Sequence, residues 1–388
     1  MSTFVKNLRI AFVHDWILGV AGDIRVLKEF HEIFPEAPIY VLFYDKKFTD
    51  EFLPGTDIKP SCLQKKYEIL GSHKLLMPLL PTAVESLDLS DFDLVISTAP
   101  FAKGLILKPR TIHINYCSSP TRQFWDWHAE YKKESRMAPK SWLAVFQHFM
   151  RIWDRHASAR VDYFIANSKN TARRIKKYYG KDSTVIYPPV DTNLAQSVLF
   201  DSFTSSMQTK QYFLIVSRLY KHKNVDLAVK AFSKLGWPLI VIGDGPELHR
   251  LKKLANGNAD IIFLGFQPDN IVKKYYENCL AFIMPQEEDF GMTPIEAMSY
   301  GKPVLALKRG GALEYLKEGI NGEFFEDPAE EMIADGARRL KENLSKYNPE
   351  EIKKTTEQFS IERFSNQIKI FVNHATQNRN SSIAIQQF

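Results

Sequence analysis

Apolar, β-branched runs recur along this chain and alternate with stretches of helical period. The first half carries "LRIAFV" (8–13), "PIYVLF" (38–43), "DLVIST" (93–98), "TIHINY" (111–116), "VDYFIA" (161–166) and "TVIY" (184–187). The second half carries "QYFLIVS" (211–217), "WPLIVIG" (237–243), "DIIFLG" (260–265), "LAFIMP" (280–285) and "KPVLAL" (302–307). Near-continuous hydrophobic strands separated by helices are the pattern of parallel sheets covered on both faces. Each half has enough of them for a doubly wound α/β sheet of its own. Between the halves, "NTARRIKKYYG" (170–180) reads as a helix with Ser168 as N-cap and Gly180 as its stop. A polar, turn-rich linker is expected near 188–210. The pattern divides the chain into domains at 1–188 and 189–360. A closing segment, 361–388, is expected to hold an amphipathic helix around 361–375, packing back toward the first domain, and a frayed polar tail.

Composition narrows the class. A chain of 388 residues exceeds one ordinary core, and 45% hydrophobic with 25% charged residues describes a globular protein. No uninterrupted apolar run is long enough to span a bilayer, and the N-terminus lacks the pattern of a signal peptide. Three widely spaced cysteines (Cys62, Cys117, Cys279) suit neither a disulfide framework nor a zinc site, which points to a reducing, cytoplasmic compartment. Charge is unevenly divided. Residues 1–186 hold 27 Lys and Arg against 20 Asp and Glu; residues 187–388 hold 24 against 25. The basic first half is expected to meet something anionic: nucleic acid, a membrane surface or a phosphorylated substrate. Dispersed basic residues without a recognition module argue against nucleic acid.

The most informative stretch is "EEDFGMTPIEAMSYGKP" (287–303). A buried strand ends at Pro285, so Gln286 to Thr293 form the loop at its carboxyl end, where open α/β sheets bind ligands. Pro294 suits the first turn of a helix that stops near Gly301. Free N–H groups at such an N-terminus, with a glycine allowing close approach, suit an anion. Glu296, expected in the first turn, could accept hydrogen bonds from ligand hydroxyls. The alternative is that Glu296 complements the helix dipole and Glu288 is a solvated loop charge; these residues alone leave both readings open.

"IVSRLYKHKNVDLAVKAF" (215–232) puts Arg218 and Lys223 in the loop after another strand, where they could neutralise a diphosphate or be solvated loop cations. "VIGDGPE" (241–247) lacks the third glycine of the dinucleotide fingerprint and reads as a tight turn. "KRGGALEYL" (308–316) again places glycines between strand and helix. One large ligand lying along a single sheet edge would account for this repetition.

These residues resemble the retaining nucleotide-sugar glycosyltransferases of family 4. "EDFGMTPIE" matches the family's E-x7-E signature, with Glu288 first and Glu296 second, and "SRLYKHK" matches its Arg-x4-Lys loop. "GDGPE", "KRGGALEYLKEGINGEFF", the interdomain passage "NSKNTARRIKKYYGKDSTVIYPPVD" and the opening "VHDWILGVAGDIRVL" extend the likeness over about residues 9–372. The opening and "YCSSPTRQFWDWHAEY" (116–131) are similar to bacterial O-antigen and capsule mannosyltransferases.

The resemblance implies a GT-B fold, two Rossmann-like domains facing a cleft, and hexose transfer without a metal. It implies that Arg218 and Lys223 grip the donor diphosphate and Glu288 contacts the transferred sugar. Backbone N–H groups of Phe290, Gly291 and Met292 would lie nearby, Glu296 would bind the ribose, and Gly22 would lie near the phosphates. Ser118 and Arg122 become acceptor-side candidates. The donor implied is GDP-mannose, with UDP-hexoses as the alternative. The acceptor is a lipid-linked sugar or oligosaccharide in O-antigen or other surface polysaccharide synthesis. Two departures fall in the first domain: Ser118 stands where the family often has His, and Ile24 where it often has Glu. They keep open a nucleotide-sugar-binding subunit that needs a partner glycosyltransferase chain; a sugar phosphorylase or epimerase on the same fold also stays open.

Finally, "SWLAVFQHFMRIWDRHASARV" (141–161) mixes aromatics with Arg and His, as a helix lying on an anionic membrane would. That reading puts the protein at the inner face of the cell membrane. The competing reading is a core stripe of Trp142, Phe146, Phe149 and Trp153.

Overall fold

The structure, a computed structural model, describes residues 8–134, 139–192 and 211–385. Most of the expected linker (193–210) lies outside the described residues. The chain forms two compact units, one of residues 1–189 with 362–388 and one of residues 190–361.

The first unit is built on seven parallel strands: β1 (Ile10–Ile17), β2 (Ile39–Tyr44), β3 (Ile58–Pro60), β4 (Leu94–Ser97), β5 (Ile112–Cys117), β6 (Tyr163–Ala166) and β7 (Ser183–Val185). Their order is β3-β2-β1-β4-β5-β6-β7, so the winding direction reverses between β1 and β4. Alternate side chains of β1 enter opposite layers, as the two-residue period of a strand requires. Ile10 and Phe12 join one cluster with Leu27 and Phe30 of the helix Gly22–Ile33. Ala11 and Val13 join another, with Leu80, Val84 and Met150.

The last helix, Ile361–Ile385, completes the first of these layers. Phe364, Ile368, Val372 and Ala375 are buried in it, and Phe364 meets Phe30 and Tyr116 edge-on. The helix runs well past residue 375, where the sequence led us to expect fraying. The interdomain helix Lys169–Tyr179 is capped as its residues require: Ser168 Oγ accepts from Thr171 N–H at 2.9 Å, and Gly180 is left-handed at φ 67°.

The second unit has six parallel strands: β8 (Phe213–Val216), β9 (Leu239–Ile242), β10 (Ile261–Gly265), β11 (Ala281–Met284), β12 (Val304–Leu307) and β13 (Gly322–Phe325), in the order β10-β9-β8-β11-β12-β13. Here the winding reverses between β8 and β11. Val190 and Ser360 bridge in parallel, with Val190 N–H donating to the Phe359 carbonyl at 2.8 Å, so this unit's first and last residues run side by side.

The helix Lys140–Ala159 divides the aromatics expected as one stripe. Phe146 and Trp153 pack on the core, whereas Trp142 and Phe149 are exposed. Neither competing reading of that segment describes both faces. No helix among the described residues is long and apolar enough to cross a membrane.

Candidate functional site

At the switch between β8 and β11, four loops come together because glycines remove the side chains that would hold them apart. A Cβ on Gly243 would lie 1.9 Å from the Ser217 carbonyl oxygen, and one on Gly245 2.4 Å from that of Leu219. The loop after β9 therefore rests directly on the loop after β8, and Leu219 N–H donates to the Asp244 carbonyl at 2.8 Å. Likewise a Cβ on Gly311 would meet Phe290 Cα at 2.4 Å, and Gly311 N–H donates to the Glu288 carbonyl at 2.9 Å. The turns after β9 and β12 are thus the packing devices that fix the two charged loops.

The loop after β8 carries Arg218 and Lys223. Lys223 closes a short 3₁₀ turn and is buried; its ammonium is ion-paired with Glu288 of the loop after β11. Glu288 Oε1 also accepts from Gln286 Nε2 at 2.9 Å. Next to Lys223, Asn224 adopts a left-handed conformation (φ 52°), and its Nδ2 donates to the Pro285 carbonyl at 3.3 Å. Two adjacent strands thus present one cation and one carboxylate in fixed register across the switch point. Arg218 is exposed, with its guanidinium carbon 5.8 Å from the centre of the Tyr220 ring.

The loop after β11 ends two residues earlier than its sequence suggested, and Pro294 falls in the first helical turn as expected. The helix is Met292–Ser299, entered through Gly291 at φ 88° and ψ 96°. That left-handed backbone favours glycine. A Cβ there would also sit 3.1 Å from Tyr315 Oη and 3.2 Å from Met284 Sδ. Phe290 buries its ring between Tyr315 and Phe359, which fixes the backbone at the helix mouth. With the helix starting at Met292, Glu296 lies beyond the first turn, so complementing the dipole ceases to be its main role, since that effect fades within one turn. Glu296 is half-buried and held by the buried Tyr276, whose hydroxyl donates to Oε2 at 2.8 Å. Asn224, Gln286 and Tyr276 were not singled out from sequence. Gln286 and Asn224 adjoin recognised motifs; Tyr276 sits on a different helix and carries no local signal.

Gly22, Ser118 and Arg122 belong to the first unit. Gly22 opens the helix Gly22–Ile33. Ile24 is buried in the core beneath it, while Asp23 Oδ2 lies 3.9 Å from His14 Nε2. Ser118 is half-buried and its carbonyl accepts from Thr171 Oγ1 at 3.4 Å. The Arg122 guanidinium stacks over Trp127 at 4.5 Å.

The sheet edge of this unit is rich in buried charge. Asp15 accepts from Phe101 N–H at 3.1 Å and Ala102 N–H at 2.6 Å. Burial pushes its carboxyl up to about 7, against those hydrogen bonds and the nearby Lys103. His14 binds Thr98 Oγ1 at 2.9 Å, and burial holds its ring below the usual histidine range despite Asp23. Lys103 and Asp154 form a buried pair at 2.5 Å, and Asp154 also accepts from Trp125 Nε1 at 2.7 Å and Thr121 Oγ1 at 3.2 Å.

Comparison with known proteins agrees with this architecture. The family model of glycosyl transferases group 1 matches residues 201–358, and that of glycosyltransferase family 4 matches residues 54–194. The chain is 27% identical to the alpha-1,3/1,6-mannosyltransferase ALG2 of Candida glabrata, over 80% of this chain and 78% of that one. The corresponding Schizosaccharomyces pombe enzyme is 24% identical, over 83% and 71%. Among solved structures, Anabaena Alr3699/HepE in complex with UDP-glucose superposes with a TM-score of 0.69 at 17% identity, over 95% of this chain and all of that one. With the two models matching most of its length and a two-sheet parallel architecture to carry them, the chain belongs to the family 4 glycosyltransferases of GT-B fold.

Proposed function

We propose that this glycosyltransferase moves a hexose, with retained configuration, from a nucleoside diphosphate sugar bound at the β8/β11 switch point. The observation that carries the reading is the Lys223–Glu288 pair, set beside the Gly291 helix mouth and the exposed Arg218. Lys223, Arg218 and the helix N–H groups would face the diphosphate, where each acts on charge that grows as the nucleotide leaves. Glu288, fixed by Lys223 and Gln286, would accept from sugar hydroxyls, and Glu296, fixed by Tyr276, from the ribose. Two carboxylates committed to such contacts do not supply the acid and nucleophile of a glycosidase.

In the reaction, the bond from the sugar C1 to the leaving phosphate oxygen breaks. The acceptor oxygen bonds C1 from the same face, and the acceptor's proton passes to the leaving phosphate. The positive charge needed comes from protein groups, so no metal is required. The mannosyltransferase relatives support mannose as the sugar, and GDP-mannose is the donor we infer. The acceptor we infer is a lipid-linked sugar or oligosaccharide of a surface polysaccharide such as O-antigen.

The test is to incubate purified protein with GDP-mannose and with UDP-hexoses and to follow the product's anomeric configuration by NMR. Mannosyl transfer with an α-linked product supports the reading. Transfer from a UDP-hexose alone would replace the donor, and an inverted product would overturn the mechanism. A protein that binds donor but neither hydrolyses nor transfers it would be a binding subunit for a partner chain.

A further inference from the structure

The first unit exposes more large apolar side chains than its own packing explains, and they fall on two segments seated on the same core. On the helix Lys140–Ala159, Leu143, Gln147, Met150 and Asp154 face inward at helical spacing. On the opposite side run Trp142, Val145, Phe149 and Ile152, also at helical spacing, with Trp142 72% and Phe149 63% exposed. The second segment, 64–79, winds through three short helical turns. Its Leu76 and Met77 enter the core cluster that also holds Met150 and Phe146. Its Ile69 is 83% and its Leu75 57% exposed, and Leu70 and Leu79 are also open. The helix that continues this segment, Leu80–Glu85, is tied to the Lys140–Ala159 helix: Trp153 Nε1 donates to Glu85 Oε1 at 2.9 Å.

Charge decides among occupants. Lys65, Lys66 and Lys74 stand exposed among the apolar tips of the second segment against one exposed acid, Glu68, and exposed Arg155 borders the stripe on the helix. A protein partner matched to the apolar stripe alone would not call for a rim with this excess of cations. Apolar tips reaching past cationic stems suit a surface with acidic headgroups above acyl chains.

We propose that segment 64–79 and the outer face of the helix Lys140–Ala159 form one docking surface for a bilayer rich in anionic lipid. The aromatic and aliphatic tips enter the headgroup boundary, and the lysines meet the lipid phosphates and carboxylates. The surface belongs wholly to the first unit and does not depend on which donor the second unit binds.

The test is co-sedimentation of the full chain with phosphatidylcholine vesicles and with vesicles containing about one-third phosphatidylserine. The chain should bind the anionic vesicles and be released by high salt. Trp142→Ser with Phe149→Ser, Ile69→Ser with Leu75→Ser, and Lys65→Glu with Lys66→Glu and Lys74→Glu should each weaken binding at least about tenfold. Because these side chains are exposed, melting points and the response to soluble nucleoside diphosphates should stay those of wild type, which separates this surface from the donor site. Absence of binding at low salt, or variants that bind as well as wild type, overturns the proposal. So does a result in which the serine variants split a dimer by sedimentation but leave vesicle binding intact, because the occupant is then a second copy of the chain.

Discussion

The two sheet edges of this protein are wound alike and charged differently. In the second unit, the loops after β8 and β11 bring Arg218 to the surface and hold Lys223 against Glu288 beside an open helix mouth. In the first unit, the edge between β1 and β4 is also charged, but its Asp15, Lys103 and Asp154 are buried and answered by the chain's own groups. One edge leaves Arg218 exposed beside its ion pair; the other uses all of these charges to hold its own loops. The same topology thus yields one edge where glycines press loops together around a half-buried ion pair and an exposed arginine, and another where charge is sealed.

The largest effect expected tests the sealed edge. Lys103→Met leaves Asp154 buried without its cation and should cost about 3–5 kcal/mol of stability by chemical denaturation. A change near zero would show that the pair is not structural. Next comes the open edge. Arg218→Ala and Lys223→Ala should each lower turnover by roughly 10²–10³ with the fold intact. Of the two, Arg218→Ala is cleaner because it does not strip the half-buried Glu288 of its cation; unchanged turnover in both would remove the site's catalytic role. Glu296→Gln should weaken donor binding by about tenfold, roughly one hydrogen bond to a charged group, with little change in melting point. Equal affinity would separate Glu296 from the ribose.

A pH dependence is expected from the first unit. Burial, with Arg160 nearby, pushes His113 down to about 3, and its Nε2 lies 2.8 Å from Ser97 Oγ. The folded ring stays neutral while an unfolded histidine takes up a proton below about pH 6.5. Its stabilisation is therefore complete above that pH and is lost as pH falls toward 3. In His113→Gln the fall in stability between those values should be shallower; an unchanged slope would assign the acid sensitivity elsewhere.

Periodicity made most of the fold legible. The eleven apolar runs became strands, but β3 and β13 went unseen. Ile58–Pro60 is a three-residue edge ending in proline, and Gly322–Phe325 offers no β-branched run. Ser168 and Gly180 marked one helix correctly because caps are local chemistry. The start of the Met292–Ser299 helix was misplaced because Pro294 is an obvious marker, whereas Gly291 acts through a backbone angle that sequence does not display. Arg218, Lys223, Glu288 and Glu296 were visible as motifs, since each follows a strand. The sealed network was invisible, because Lys103, Asp154, Thr121 and Trp125 come from separate segments joined only by packing. The outward face of the Lys140–Ala159 helix was ambiguous for the same reason, as its period fits two faces until a core covers one.

The measurement that bears most directly on the central claim is calorimetric titration of wild type and Arg218→Ala with GDP, UDP and their sugars. The account predicts that one nucleoside diphosphate series binds wild type and that Arg218→Ala weakens that binding by at least about tenfold, the scale of a charge-assisted contact. Failure of every nucleoside diphosphate to bind, or binding by Arg218→Ala as tight as by wild type, would contradict it.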